Sequence, residues 1–161
     1  MKKIILILLL LMMMGCESKG NDQKSFAWQI FILKTEMKTS LVTERTVTHY
    51  DGSSEVVTYK NEPSSNKVYL LLELKIDKTL SNGTAFTWDK LSLIDEDGNV
   101  YQRIKDDFLG QHNYDRLASI NLRLSGNQGW ICFEISETSD KKKLNLVYQA
   151  DEGDNSIPVS K

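Results

Sequence analysis

The stretch that decides the fold is KVYLLLELKI, which occupies residues 67–76. Its apolar side chains recur at every second position, and this is the period of a β-strand that turns one face towards a core. The row is the longest of its kind in the chain, and its members are Val68, Leu70, Leu72, Leu74 and Ile76. Residues 67–76 therefore predict a half-buried strand, and the same period can be followed in both directions along the chain.

Shorter rows with a period of two lie on either side. They are Phe26, Trp28, Ile30 and Ile32; Leu91 and Leu93; Ala118, Ile120, Leu122 and Leu124; Ile131, Phe133 and Ile135; and Leu144, Leu146 and Tyr148. Asp51-Gly52, Asn82-Gly83 and Asp97-Gly98 mark turns between rows, and Gly126 and Gly129 bracket another. Only residues 105–117 have room for a helical turn or two. The pattern predicts an all-β antiparallel sandwich of about seven or eight strands over residues 25–150.

Residues 40–61 form a different kind of segment. Threonine, valine and charged residues flank Asp51-Gly52, and large apolar side chains are few. This composition predicts a long polar hairpin that extends from the sandwich. Two interpretations stay open, a contact surface and a solvated edge, because threonine and charge also protect strand edges from pairing.

The amino terminus has the layout of a secretory signal. Two lysines precede an uncharged run over residues 4–14, which is too short to span a bilayer. The following Gly15-Cys16 resembles a bacterial lipobox, in which a small residue precedes the cysteine that takes up lipid through its thiolate. We expect residues 1–15 to be a signal peptide that is cleaved between Gly15 and Cys16, and Cys16 to carry the lipid.

The segments next to the predicted domain are polar. After Cys16, residues 17–24 read ESKGNDQK and contain no hydrophobic side chain, so residues 16–24 are interpreted as a lipidated cysteine with a flexible tether. Residues 151–161 read DEGDNSIPVSK, and we predict a disordered tail there.

Charge and cysteine content narrow the function. Without residues 1–15 the chain keeps 146 residues, with 18 basic and 22 acidic ones, and its net charge is −4. This balance argues against nucleic acid as a partner, since nucleic-acid binding depends on clustered basic residues. With Cys16 lipidated, an internal disulfide is impossible in the monomer, and Cys132 is expected to be a buried strand residue.

No catalytic constellation stands out. His49 and His112 are 63 positions apart with no ligand spacing around them, which makes a zinc site improbable. The run Asp95-Glu96-Asp97-Gly98-Asn99 lacks the pattern of a calcium loop and is explained by a hairpin turn. There is no Gly-x-Ser-x-Gly elbow and no phosphate-binding glycine loop. We expect no metal, no cofactor and no catalytic residues.

Aromatic residues supply the remaining candidates. Trp28 shares a face with Ile30, so it is expected in the core, whereas Trp130 either faces outward or packs under residues 105–117. The candidate contact residues are Trp88, His49, Tyr50 and Tyr59.

Three passages resemble an immunoglobulin-like domain family of unknown function that is common in bacterial lipoproteins and related to a secreted mycobacterial antigen. They are residues 67–76, residues 88–101 with their Asp-Gly turn and following tyrosine, and GWICFEI at residues 129–135. The sequence departs from the family at Asp77 and Lys78, where asparagine is usual, and no proline precedes Gly126. The resemblance implies a sandwich fold and brings no established catalytic residue.

Together these features predict a non-enzymatic binding module on the extracytoplasmic face of a cell or outer membrane. The membrane contact would run through lipid on Cys16, and the domain would bind a protein or an envelope component. One alternative is a structural or stress-related envelope lipoprotein without a dedicated ligand, and another is a hydrolase with an unrecognised site.

Overall fold

The computed structural model describes residues 26–79, 85–104, 107–117, 122, 127–151 and 153–160. Within these ranges the strands are β1 (Trp28–Lys38), β2 (Leu41–Thr48), β3 (Ser54–Asn61), β4 (Lys67–Lys78), β5 (Leu91–Ile94), β6 (Val100–Gln102), β7 (Asn127–Ser136), β8 (Asn145–Ala150) and β9 (Gly153–Pro158). Three short 3-10 helices are η1 (Trp88–Lys90), η2 (Asp107–His112) and η3 (Lys141–Lys143). Residues 1–25, with the predicted signal peptide, Cys16 and tether, lie outside the described part.

Seven of the strands form two antiparallel sheets, with the orders β1-β4-β7 and β6-β5-β8-β9. Side chains of both sheets meet in one buried cluster, so the sheets pack face to face as a sandwich. The predicted all-β antiparallel sandwich is confirmed. Taken in chain order, the seven strands follow the A-B-E and C′-C-F-G orders of immunoglobulin-type sandwiches, with β2 and β3 inserted between the first two strands.

β4 is the centre of the three-stranded sheet and is buried on both faces. The predicted row from Val68 to Ile76 lies in the core between the sheets. The opposite face carries Tyr69 and Leu71, which the period-two pattern had left outside the core. They belong to a second cluster on the outer side of this sheet, so the strand is not half-buried along its full length.

The second cluster explains two further sequence positions. Trp130 packs edge-on against Tyr114 at a ring distance of 4.9 Å, so of the two places left open for it, the one under the segment before β7 is observed. Cys132 is fully buried beside it on β7, as expected for a small apolar residue. Trp28 lies in the core between the sheets, as predicted.

The predicted disordered tail is wrong for residues 153–160. β9 pairs with β8 from Asn145↔Pro158 to Ala150↔Gly153, and the backbone N–H of Val159 donates to Leu144 O at 2.9 Å. Val159 itself is buried in the core. The acidic composition suggested disorder, but an edge strand needs few apolar side chains. Here Val159 is buried in the core and Ile157 packs against it.

The turns between the described strands follow the sequence signals. Gly52 and Gly98 have φ of +85° and +82°, the left-handed conformation that favours glycine after Asp51 and Asp97. Asn82-Gly83 and most of the predicted row from Ala118 to Leu124 lie outside the described residues. In the described part, no helix has both the length and the apolar character needed to cross a membrane.

Gly129 lies inside β7, so the prediction that it borders a turn is wrong. Residues 115–117 run alongside β7 in the parallel direction, where the N–H of Trp130 donates to Asp115 O at 2.8 Å and the N–H of Leu117 donates to Trp130 O at 3.1 Å. A Cβ atom at position 129 would stand 2.7 Å from Leu117 N and 2.8 Å from Asp115 O. Glycine is required because two backbones approach each other closely at this point.

We predict that Gly129→Ala lowers the free energy of unfolding by about 1–3 kcal/mol, because the new methyl group overlaps backbone atoms that cannot rotate away. Gly110→Ala is the matched control, since a Cβ there meets nothing within 4 Å. Urea denaturation of the two variants measures the difference. Equal stability of the two variants would show that the close approach of residues 115–117 to β7 tolerates a side chain.

Candidate functional site

The predicted polar hairpin is confirmed as β2 and β3. The strands pair from Leu41↔Asn61 to Thr48↔Ser54, and among the described residues neither strand pairs with the two sheets of the sandwich. A two-stranded hairpin is at best marginally stable by itself in water. The position of this hairpin must therefore come from side-chain contacts with the rest of the domain.

The two faces of the hairpin differ. The face we call the inner face includes Leu41, which is buried in the second cluster. The opposite face, called the outer face below, is exposed at every position. Its side chains are Val42, Glu44, Thr46, Thr48, Ser54, Val56, Thr58 and Lys60. Val42 and Val56 expose 56% and 65% of their surface, so apolar and polar contacts are both offered.

His112 of η2 connects both strands of the hairpin to the domain. Its Nδ1 lies 3.0 Å from Thr43 Oγ1 on β2, and its Nε2 lies 2.8 Å from Asn61 Oδ1 on β3. Only 6% of the residue is exposed. Burial lowers the pKa of His112 below its usual value of 6.5, and the neighbouring charge of Arg45 lowers it further.

Arg45 makes a second attachment from the inner face. Its Nη2 donates to Gly110 O at 2.8 Å and to Asn113 Oδ1 at 3.0 Å. The guanidinium also lies 5.8 Å from the ring centroid of Tyr59, the cross-strand neighbour of Thr43. These contacts hold the hairpin against η2 and the residue that follows it.

The tip of the hairpin is ordered by its own hydrogen bonds. The backbone N–H and the hydroxyl of Ser53 donate to Asp51 Oδ1 at 2.9 and 2.6 Å. These bonds from Ser53 lower the pKa of Asp51. Tyr50 beside them is fully exposed. The tip therefore presents a tyrosine ring on a closed turn.

Three of the four candidate contact residues lie on this hairpin. Tyr50 is at the tip, Tyr59 lies under Arg45, and His49 Nε2 is 3.4 Å from Glu55 Oε1. Trp88 lies elsewhere. It packs on the core between the sheets, 4.9 Å from the Phe86 ring, with the Arg103 guanidinium 5.0 Å from its centroid. No described contact joins Trp88 to the hairpin, so the four residues do not form one cluster.

The sequence did not point to His112 and Arg45 as the residues that attach the hairpin. His112 is 69 positions from Thr43 and 51 from Asn61, and no local pattern connects residues so far apart. The one available signal was that residues 105–117 had no strand period.

The hairpin joins the sandwich at the end of β1, far from the start of β1 at Trp28. β1 starts at Trp28, which pairs with Lys78, and ends at Lys38, which pairs with Tyr69 near the start of β4. Both connections to the hairpin therefore leave from the far end of these strands. An eleven-residue strand separates the two ends by about 33 Å.

A groove of about 490 Å³ lies between β1 and β9. Its lining includes Phe31, Leu33 and Ile157, and the Thr35 hydroxyl donates to Val159 O at 3.2 Å across it. The pairing of β1 with β4 is interrupted by a bulge at Leu33, next to the exposed Lys34. A bulge and a lysine are features that prevent another strand from adding to an edge.

The acidic run at residues 95–99 is a hairpin turn, as expected. The carboxylate of Asp95 accepts hydrogen bonds from the backbone N–H groups of Asp97 and Asn99, from the Asn99 side chain and from the Tyr101 hydroxyl, at 2.8–3.0 Å. The Asn99 side-chain bond is the largest cause of its lowered pKa. The described residues contain no group of three or more histidine, cysteine or acidic side chains that could hold a metal ion.

Comparisons with protein-family models, with curated proteins and with solved structures find no match to this chain. The assignment of function therefore rests on the chain's own residues.

We predict that Arg45→Met lowers the free energy of unfolding by about 1 kcal/mol, because it removes two hydrogen bonds at a solvent-exposed position. Lys60→Met is the control on the outer face, where the ion pair with Glu62 is worth less than about 0.5 kcal/mol. Urea denaturation compares both with the unchanged protein. If Lys60→Met were the more destabilising change, the assignment of the inner face as the attachment would be wrong.

Proposed function

We propose that this protein is a membrane-anchored extracytoplasmic lipoprotein, whose immunoglobulin-like domain binds a protein or another envelope component through the β2–β3 hairpin. One observation carries the binding role. The hairpin is inserted between two strands of the sandwich and is attached by its inner face, and its outer face and tip stay exposed. We propose no catalytic step, because no described cluster of side chains supports one.

The anchor rests on the amino-terminal sequence. Gly15-Cys16 after a short apolar run provides the lipid attachment, and several acyl chains together hold a protein on a membrane. Eleven residues lie between Cys16 and Trp28, and the tether expected there would have a root-mean-square span of about 18 Å as a flexible chain. The end of the sandwich where β1 starts would then stay near the membrane, and the hairpin would be rooted at the opposite end.

The attachment of the hairpin favours a contact surface. A surplus loop needs no fixed orientation, yet this hairpin is attached through His112, Arg45 and Leu41. Holding the outer face in one orientation lowers the conformational entropy that the hairpin would otherwise lose when it binds a partner. Tyrosine is common in such interfaces because its large ring has few rotatable bonds, and Tyr50 is placed at the tip.

A second candidate function is a structural envelope lipoprotein without a dedicated ligand. It is favoured by the composition of the outer face, where Thr46, Thr48 and Thr58 accompany Glu44 and Lys60. Threonine and charged side chains on exposed strands also prevent edge-to-edge aggregation.

The anchor predicts the mass of the mature protein. Expressed in a bacterium, the chain should begin at Cys16, carry acyl chains and fractionate with membranes. Cys16→Ser should be unprocessed or released, because serine has no thiolate to take up the lipid. Intact-mass measurement and membrane fractionation test this together. A soluble, unacylated product cut elsewhere would overturn the anchor and leave a freely secreted domain.

The binding role predicts a cross-linked partner. A photoreactive amino acid placed at Tyr50 or Val56 should capture one envelope component in native membranes. The same residue at Val100, which is 55% exposed on β6 of the other sheet, is the matched control and should not capture it. Equal labelling at the three positions, or none above an unrelated lipoprotein, would support the second candidate function.

A further inference from the structure

We propose that protonation of His112 releases the β2–β3 hairpin from the sandwich, so that the candidate binding surface is held at neutral pH and loosened in mild acid. The proposal concerns the regulation of the proposed surface and, in its biological meaning, rests on the proposed function. Its physical basis is the position of one nearly buried imidazole ring between η2 and both strands of the hairpin.

The hydrogen-bond partners determine the tautomer of the neutral ring. With Oδ1 of Asn61 facing Nε2, the proton of the neutral imidazole lies on Nε2, because a carbonyl oxygen only accepts. Nδ1 then has a lone pair and accepts the hydrogen bond of the Thr43 hydroxyl. Both ring nitrogens are satisfied in this state, and each is bonded to a different strand of the hairpin.

A second proton would have to enter at Nδ1. The hydrogen of the Thr43 hydroxyl would need to rotate away so that its oxygen accepts from Nδ1–H, and a positive charge would be created in a nearly buried site. The charge of Arg45 disfavours this further, because Arg45 is itself cationic and is fixed by Gly110 O and Asn113. Burial and the neighbouring cation both favour the neutral ring.

The other ionisable groups around the ring do not offset that charge. Tyr69 lies under Phe108, whose ring centroid is 6.3 Å from that of His112, and burial raises the pKa of the Tyr69 hydroxyl, so it is neutral in mild acid. The remaining charged side chains of these elements are turned away or paired. Glu44 and Lys60 are on the outer face, Lys60 pairs with Glu62, and Asp107 pairs with Arg116.

The direction of the effect follows from linkage. In the detached hairpin His112 would meet water and recover its ordinary pKa near 6.5, whereas the attached ring has a lowered pKa. The attached state is therefore favoured fully above pH 6.5 and loses this advantage as the pH falls below it. A weak link suffices for local release, because the hairpin has no strand pairing with the sheets in the described chain.

Hydrogen exchange of the full-length protein at pH 7.5 and 5.0 tests the proposal. After correction for the intrinsic pH dependence of amide exchange, protection of residues 41–61 should fall at least about twofold at the lower pH. The ceiling is about thirtyfold, which is the limit for one group of pKa 6.5 that binds no proton when attached. Protection of β4 is the internal reference and should not change.

Two substitutions separate His112 from other titrating groups. His112→Gln keeps a polar side chain that does not titrate, so the hairpin should lose its pH response. His49→Gln removes the other histidine, which is exposed on the hairpin beside Glu55, and should keep the response. If His112→Gln does not fold, the ring resonances of His112 can be titrated by NMR in the unchanged protein and compared with the hairpin amides.

Three results would overturn the proposal: hairpin protection that is the same at both pH values, a response that persists in His112→Gln, or parallel loss of protection in β4 and the hairpin. The last would mean that the whole domain unfolds. The experiment needs no partner and no membrane. An unresponsive hairpin therefore counts against pH release alone, and failed cross-linking at Tyr50 counts against the binding role alone.

Discussion

The structure depends on the burial of β4 on both of its faces. One face supplies the core between the sheets, and the other carries Tyr69 and Leu71 into the second cluster. Each large apolar side chain that is fully buried stabilises the fold by about 1.5–3 kcal/mol. An outer sheet face with such residues has to be covered, and this need determines where the irregular part of the chain lies.

The cover is built by residue 104, by residues 107–117 and by the first residue of the hairpin. Leu109, Tyr114 and Ile104 pack on the outer cluster, and Leu41 completes it at the start of β2. The backbone of residues 115–117 is fixed to β7 by hydrogen bonds on both sides of Trp130, which the absence of a side chain at Gly129 makes possible. η2 is thereby held firmly enough to serve as a support, and His112 at its end reaches the hairpin.

The residues that stabilise the domain are therefore different from those that form the proposed binding surface. The sandwich is stabilised by the burial of apolar side chains in both sheets, whereas the hairpin is positioned by one buried side chain, Leu41, and by a few polar contacts at its inner face. A segment with few buried contacts is the part of a fold that opens at the lowest free energy. The proposed binding surface and its proposed sensitivity to pH therefore arise from the same property, which is a weak attachment to a rigid domain.

The sequence by itself determined the period-two strands, the Asp-Gly turns and the polar hairpin, because these depend on residues that are close along the chain. It also placed Trp28 and Cys132 in the interior. Only the tertiary structure decided that Tyr69 and Leu71 are covered, that Gly129 accommodates a closely approaching backbone, and that the acidic tail adds a strand beside β8. The attachment of the hairpin to His112 could not be predicted either, since Thr43 and Asn61 are 69 and 51 positions from that residue and meet its ring only in the folded domain. A local pattern indicates which face of a strand is apolar. Which segment covers that face is determined by packing between residues that are distant in sequence.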